Sequence, residues 1–303
     1  MFTFGEKMRK RRPQTPSSHP LPPWEPPRSS CSRPALFSAK ESSFNERYFD
    51  LFSKFDAVLD VFAYQPVMLG YQIPNEQMDI YRRYMSQLFY RLTECGRFTQ
   101  IRIPTQANAA ESGLDLQDYI QRMTLTYDID YEMLHAACRQ KVEYLAGAWK
   151  VALYTGTDCV LFLELMGRTW HIDAGDGDLP CGEVYIAPVE SKTRGHVFFD
   201  TFYLENRKYY HIILQISDGE VSGSNHPDVA AYFAGQPREN RVVCELGFGM
   251  NPNITSLCGY TVLDEKMAGT FHIAVGANHM FGGTNKASDH IDFVGYARME
   301  TMT

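Results

Sequence analysis

The chain has 303 residues, 44% hydrophobic and 21% charged, with a formal net charge of −7, enough for one large domain or two ordinary ones with a real core. No run approaches the ~18 apolar residues of a membrane-spanning helix, and no apolar core of about 7–15 residues near Met1 marks a secretory signal. The first 40 residues carry eight basic and two acidic side chains, which leaves −13 on the rest, a balance that repels phosphate backbones and argues against nucleic-acid binding. The 7 cysteines form no CxxC pair, so a disulfide framework is not expected and a reducing cytoplasm fits best.

Half of the 16 prolines lie between Pro13 and Pro34. Proline removes a donor and fixes φ, so residues 1–43 read as a disordered Pro/Ser/Arg-rich extension or a partner-binding arm. From Phe44 the texture changes. Apolar residues at Phe49, Phe52, Phe55, Val58, Leu59 and Phe62 make a helical stripe over Asn45–Phe62, and Ile80–Leu92 carries another. Phe98 to Ile103 alternates as a strand. Leu114–Met123 and Asp130–Ala148 read as helices, closing a small α/β domain over 44–149.

Strand signals dominate 150–303, an α+β, strand-rich domain. Val151–Tyr154, Cys159–Glu164, Gly182–Ala187, His196–Phe199 and Tyr210–Ile216 are runs of four to seven residues, most of them bounded by Gly, Asp or Pro. Asp218-Gly219 is a hairpin turn signal. One helix, about His226–Ala234, interrupts the series.

Six candidate metal ligands fall in this second part: Glu183, Glu245, Glu265, His272, His290 and Asp292. Glu183 opens a strand after a Pro180-Cys-Gly turn. His290-Ile-Asp292 puts an imidazole and a carboxylate on one strand face, because side chains two apart point the same way. Gly249, Gly269, Gly276, Gly282 and Gly283 allow tight loops and close backbone approach. Gly247-Phe-Gly249 lacks the third glycine and following helix of a dinucleotide fingerprint and is rejected as one.

The passages Gly182-Glu-Val, Cys244-Glu-Leu-Gly-Phe-Gly-Met-Asn-Pro252, Asp264-Glu-Lys-Met-Ala-Gly-Thr-Phe-His-Ile-Ala-Val-Gly276 and Gly282-Gly-Thr-Asn-Lys-Ala-Ser-Asp-His-Ile-Asp292 resemble the thermophilic metallo-aminopeptidases of the aminopeptidase T type. The resemblance implies that family's fold and a two-metal peptidase site with zinc, cobalt or manganese. Glu183, Glu245, His272, His290 and Asp292 would be ligands and Glu265 the general base. His279 stands where the family carries a tyrosine, so a protonated imidazole there would take over oxyanion stabilisation. The implied activity is hydrolysis at the amino end of a peptide or similar amide, by a homodimer.

A second branch of the same superfamily, the iron-dependent 2,5-dihydroxypyridine dioxygenases, shares the His-Ile-Ala-x-Gly and His-x-Asp elements. It implies one Fe(II) on two imidazoles and a carboxylate. His290 and Asp292 would serve there, Glu245 replaces the expected third ligand, and His272 offers a second imidazole. A third reading is a peptide-binding or peptide-tailoring scaffold in a biosynthetic pathway. Arg168 reads as an orienter of a carboxylate or as half of a structural ion pair. His171 and His196 flank the Glu183 strand, and Phe248, Trp170 and Tyr185 line a pocket or pack the core.

Overall fold

The computed structural model describes residues 49–62, 87–88, 91–92, 94, 96–175, 177–205 and 207–303. The Pro-rich arm, most of the expected Ile80–Leu92 helix, and Cys31 and Cys95 lie outside them. Asn45–Thr303 group as one unit.

In chain order the first elements are β1 (Val58–Phe62), β2 (Phe98–Arg102), α1 (Gln106–Ser112), α2 (Leu116–Tyr127) and α3 (Tyr131–Leu145). Strands β3 (Lys150–Gly156), β4 (Cys159–Glu164), β5 (His171–Asp173), β6 (Asp178–Leu179) and β7 (Glu183–Ile186) follow. Next come β8 (Arg194–Leu204), β9 (Arg207–Ser217), β10 (Glu220–Ser224) and α4 (Pro227–Gly235). The chain closes with β11 (Val243–Gly249), α5 (Thr261–Asp264), β12 (Phe271–Gly276), β13 (His290–Gly295) and β14 (Arg298–Met302).

The helix expected over Asn45–Phe62 does not extend to Phe62. Val58-Leu-Asp-Val-Phe62 is a strand, paired parallel and in register with β2. The two valines suit a pleated strand, and the ladder supplies the backbone partners that decide between the two periodicities. β6 adds to the far edge of β2, so this small parallel sheet unites chain segments from both sides of residue 149.

Two antiparallel sheets make the body. One has the order β10-β9-β8-β4-β3-β14 and the other β13-β12-β11-β7-β5. They share a core in which Phe202 of β8 stacks on Phe293 of β13 at 4.5 Å, and Phe199 lies 5.9 Å from Phe271 of β12. The β9–β10 hairpin turns at Asp218-Gly219, both at positive φ, as that dipeptide demands. No helix among the described residues is long and apolar enough to cross a membrane.

A second, smaller core builds the cover over the five-stranded sheet. Tyr119 and Met123 of α2 pack with Ile254, Tyr260, Leu263 and Met267 of a strap that follows β11. The buried Asn251 side chain donates to the carbonyls of Thr126 and Cys181, tying strap, helix and sheet together. Helix α2 starts at Asp115, whose carboxylate accepts from the backbone N–H groups of Gln117 and Asp118. Asp115→Ala leaves both donors without that acceptor and should lower unfolding free energy by about 0.5–2 kcal/mol, read as a shifted urea midpoint.

Candidate metal centre

Strand alternation sorts the five-stranded sheet into two faces. Leu246 and Phe248, Phe271, Ile273 and Val275, and Phe293 turn into the core, so their neighbours turn the other way. Registers then align one polar face. Glu245 lies opposite Ala274, which lies opposite Asp292. Gly247 lies opposite both His272 and Tyr185, Gly249 opposite Glu183, and Glu183 opposite Asp173. A register shift between Val243 and Glu245, at Cys244, sets the β11 alternation, a device that re-aims side chains beside sites.

The small residues on this face make the room. A Cβ on Gly247 would sit 2.0 Å from His272 Nε2, and one on Gly249 2.0 Å from the Met267 carbonyl oxygen. The first glycine therefore lets the imidazole lie flat on β11, and the second lets the strap press onto the sheet.

Glu245 is the hub. Its Oε1 is 3.2 Å from His272 Nε2 and its Oε2 3.5 Å from His290 Nε2. Glu183 Oε2 lies 3.3 Å from His272 Nε2, and Asp292 Oδ1 3.5 Å from His290 Nε2. Two ligand groups result, Glu183–Glu245–His272 and Glu245–His290–Asp292, each with its donor atoms within 4.8 Å of one another. Glu245 belongs to both.

Lys266, from the strap, reaches the same face. Its Nζ lies 2.5 Å from Glu183 Oε1, 2.9 Å from Glu265 Oε1 and 3.6 Å from Asp173 Oδ2. With the imidazoles neutral and the carboxylates ionised, as metal ligands must be, five carboxylates against one ammonium would leave four negative charges on a largely buried face. Two divalent cations would cancel them. A local observation points the same way: Glu183 Oε2 and His272 Nδ1 are buried without a hydrogen-bond partner. A proton on His272 Nε2 is directed at Glu245, which leaves Glu183 Oε2 an acceptor with nothing to accept. The residues present thus fit divalent metal.

The metal-free electrostatics record the same crowding. Burial pushes Glu183 up to about 8, only partly opposed by Lys266. Burial pulls His272 down, but the Glu245 hydrogen bond and the Glu183 charge reverse this and raise it to about 9. His290 is raised likewise, with Asp292 overcoming burial. Burial also presses Glu265 upward, yet Lys266 and the imidazoles win and hold it below the usual carboxylate range.

Folding thus raises both Glu183 and His272, and the folded chain keeps protons that the unfolded chain has given up. The metal-free protein should therefore lose stability as pH climbs from 4.5 toward 8 through Glu183, and from 6.5 toward 9 through His272. A cation must displace those protons, so its affinity should rise over the same range, by about tenfold per pH unit per proton released. Calorimetric titration with Mn²⁺ at several pH values checks this.

Glu265 joins through Lys266 and belongs to neither ligand group. His279 is exposed in the β12–β13 loop, and among the described residues no hydrogen bond or ion pair links it to the cluster. Two loop residues lie beside the site: the Ala277 carbonyl is 2.9 Å from His290 Nδ1, and the Phe281 ring is 5.5 Å from Tyr185 and 6.1 Å from His290. Tyr185 shares the polar face and stacks on His171. Arg168 pairs with Glu190 at 2.5 Å, and Glu190 accepts from Asn278 and Thr284, which braces that loop. His196 is exposed on β8, and Trp170 packs on Phe248. Sequence reasoning missed Asp173 and Lys266. His171-Ile-Asp173 repeats the two-residue spacing of His290-Ile-Asp292, a signal that could have found Asp173; Lys266 carried none.

No protein-family model matches the chain, and no curated protein does. Among solved structures, wild-type AmpT from Thermus thermophilus is similar with a TM-score of 0.62 and 18% identity, covering 90% of this chain and 81% of that one. The 2,5-dihydroxypyridine dioxygenase from Pseudomonas putida KT2440 is similar with a TM-score of 0.58 and 13% identity, covering 84% and 71%. The chain is a strand-rich mixed α/β protein that shares its fold, as a distant structural relative, with AmpT and with this dioxygenase.

Proposed function

We propose that the protein is a metal-dependent hydrolase acting at the amino end of a peptide or related amide, with two divalent cations. The observation that carries this reading is the sharing of Glu245 between two ligand groups, each with one imidazole and two carboxylates. Glu183, Glu245 and His272 would hold one ion, and Glu245, His290 and Asp292 the other. Ions held this way polarise a carbonyl and lower the pKa of water. One imidazole with two carboxylates at each position is a mixed nitrogen and oxygen set compatible with zinc, cobalt or manganese.

The chain's own groups supply the rest. Glu265, kept ionised beside Lys266, would be the group that accepts a proton from an attacking water. A substrate's free amino group, as the uncharged amine, would be held at the ions that Glu245 and Asp292 bind, which is why a free amino end is expected to matter. Likeness in fold supports the peptidase and the ring-cleaving dioxygenase equally. The ligand grouping favours the peptidase, because neither group joins His272 and His290 on one position as a single-iron site would need.

Aminoacyl p-nitroanilides with free and with acetylated amino groups test the reading. Hydrolysis of the free amines alone, lost on chelation and restored by Mn²⁺ or Co²⁺, is expected. Equal cleavage of both forms, or turnover indifferent to chelator, would contradict it.

A further inference from the structure

The proposed function leaves one buried group without a part in holding ions. The Lys266 side chain is 4% exposed, and its ammonium meets Glu183, Glu265 and Asp173. An ammonium has three N–H donors, and here three carboxylates surround it. Backbone bonds fix the place from which it reaches in: the Lys266 carbonyl accepts from Asn251 N at 2.8 Å, and Lys266 N donates to the Leu263 carbonyl at 3.1 Å. Burying an unpaired ammonium is costly. Lysine at this position therefore makes sense only with the three carboxylates, and they in turn need a cation.

The consequence lies in Glu183, whose side chain is nine-tenths buried, with 10% exposure. Its Oε1 is engaged by Lys266, while its Oε2 has no hydrogen-bond partner and faces His272 and Glu245. One carboxylate is thus divided between a resident cation and a position for another.

We propose that the Asp173–Glu183–Glu265 pocket is a third cation position, filled by the chain's own Lys266 ammonium, and that Lys266 thereby positions Glu183 to offer Oε2 alone. Divalent ions are confined to the Glu245 side. Asp173 and Glu265 serve the ammonium instead of ligating metal. This rests on the two-ion reading only for what Oε2 meets, since the pocket around Nζ stands without it.

Replacing the ammonium by an uncharged side chain of similar length should open the pocket to metal. Wild-type protein and Lys266→Met, both stripped of metal, are titrated calorimetrically with Mn²⁺ in the same neutral buffer. The variant should take up one equivalent more than wild type, and adding Asp173→Asn to it should remove that equivalent. Equal stoichiometry in folded wild type and folded Lys266→Met would overturn the proposal. The two readings fail separately: wild type that binds no metal sinks the two-ion site, while an equivalent gained only by the variant still upholds the Lys266 pocket. If Lys266→Met does not fold alone, refolding with and without Mn²⁺ becomes the readout, with Lys266→Gln as a second variant. Recovery only with the metal supports the proposal, and failure of both variants under both conditions contradicts it.

Discussion

Glu245→Gln is expected to remove both ion positions at once. The substitution keeps size and shape, so the buried side chain still fits between His272 and His290. It replaces one oxygen by an NH₂ group, which cannot ligate, and it deletes the charge common to the two groups. Both imidazoles lie within 3.5 Å of this carboxylate, one on each oxygen, so neither group survives intact. If metal supplies several kcal/mol of transition-state stabilisation, hydrolysis should fall by about 10³-fold or more, at ~1.4 kcal/mol per factor of ten. Circular dichroism should stay native while metal content drops below one equivalent. Retained metal and retained turnover would take Glu245 out of the centre.

Gly247→Ala should separate the two positions. The new methyl would lie 2.0 Å from His272 Nε2 and 2.2 Å from its Cε1, far inside contact distance. His272 is fully buried, so the ring has no open space to move into. Overpacking of this kind costs about 1–3 kcal/mol, seen as a lowered melting temperature. The displaced ring leaves the Glu183–Glu245–His272 group, whereas His290 and Asp292 on the next strand keep theirs. One equivalent of metal should remain where wild type holds two. The contrast between this variant and Glu245→Gln tests the sharing of Glu245, since independent positions would make their effects alike.

Strands β2, β3, β4, β7, β8 and β9 were legible as short apolar runs, most of them bounded by turn residues, whereas β5, β6, β11, β12 and β14 were not named from the sequence. In Glu245-Leu-Gly-Phe-Gly249 the apolar members go to the core and leave a carboxylate and two glycines on the opposite face, an alternation that the sequence reading did not use. His290-Ile-Asp292 obeys the same rule, and the hairpin at Asp218-Gly219 follows from its turn residues. The end of the Asn45–Phe62 stripe misled, because Val58, Leu59 and Phe62 satisfy a helical period while the partner strand that decides the matter begins 40 residues later, at Phe98. Lys266 was illegible for a related reason. Its charge belongs to the site only because Asn251 and the α2 core fold the strap back across the sheet, and nothing within the Asp264-Glu-Lys266 run records that return. His279 has the spacing that the resemblance asked for, yet the loop carries it to the surface and brings Phe281 to the site instead.

Elemental analysis of the full chain, purified without chelator, tests the two-ion centre most directly. Two equivalents of zinc, cobalt or manganese per chain, removable by chelation and reloaded with Mn²⁺, are the predicted result. A single equivalent of iron, or folded protein that holds no metal and melts unchanged when metal is added, would contradict it.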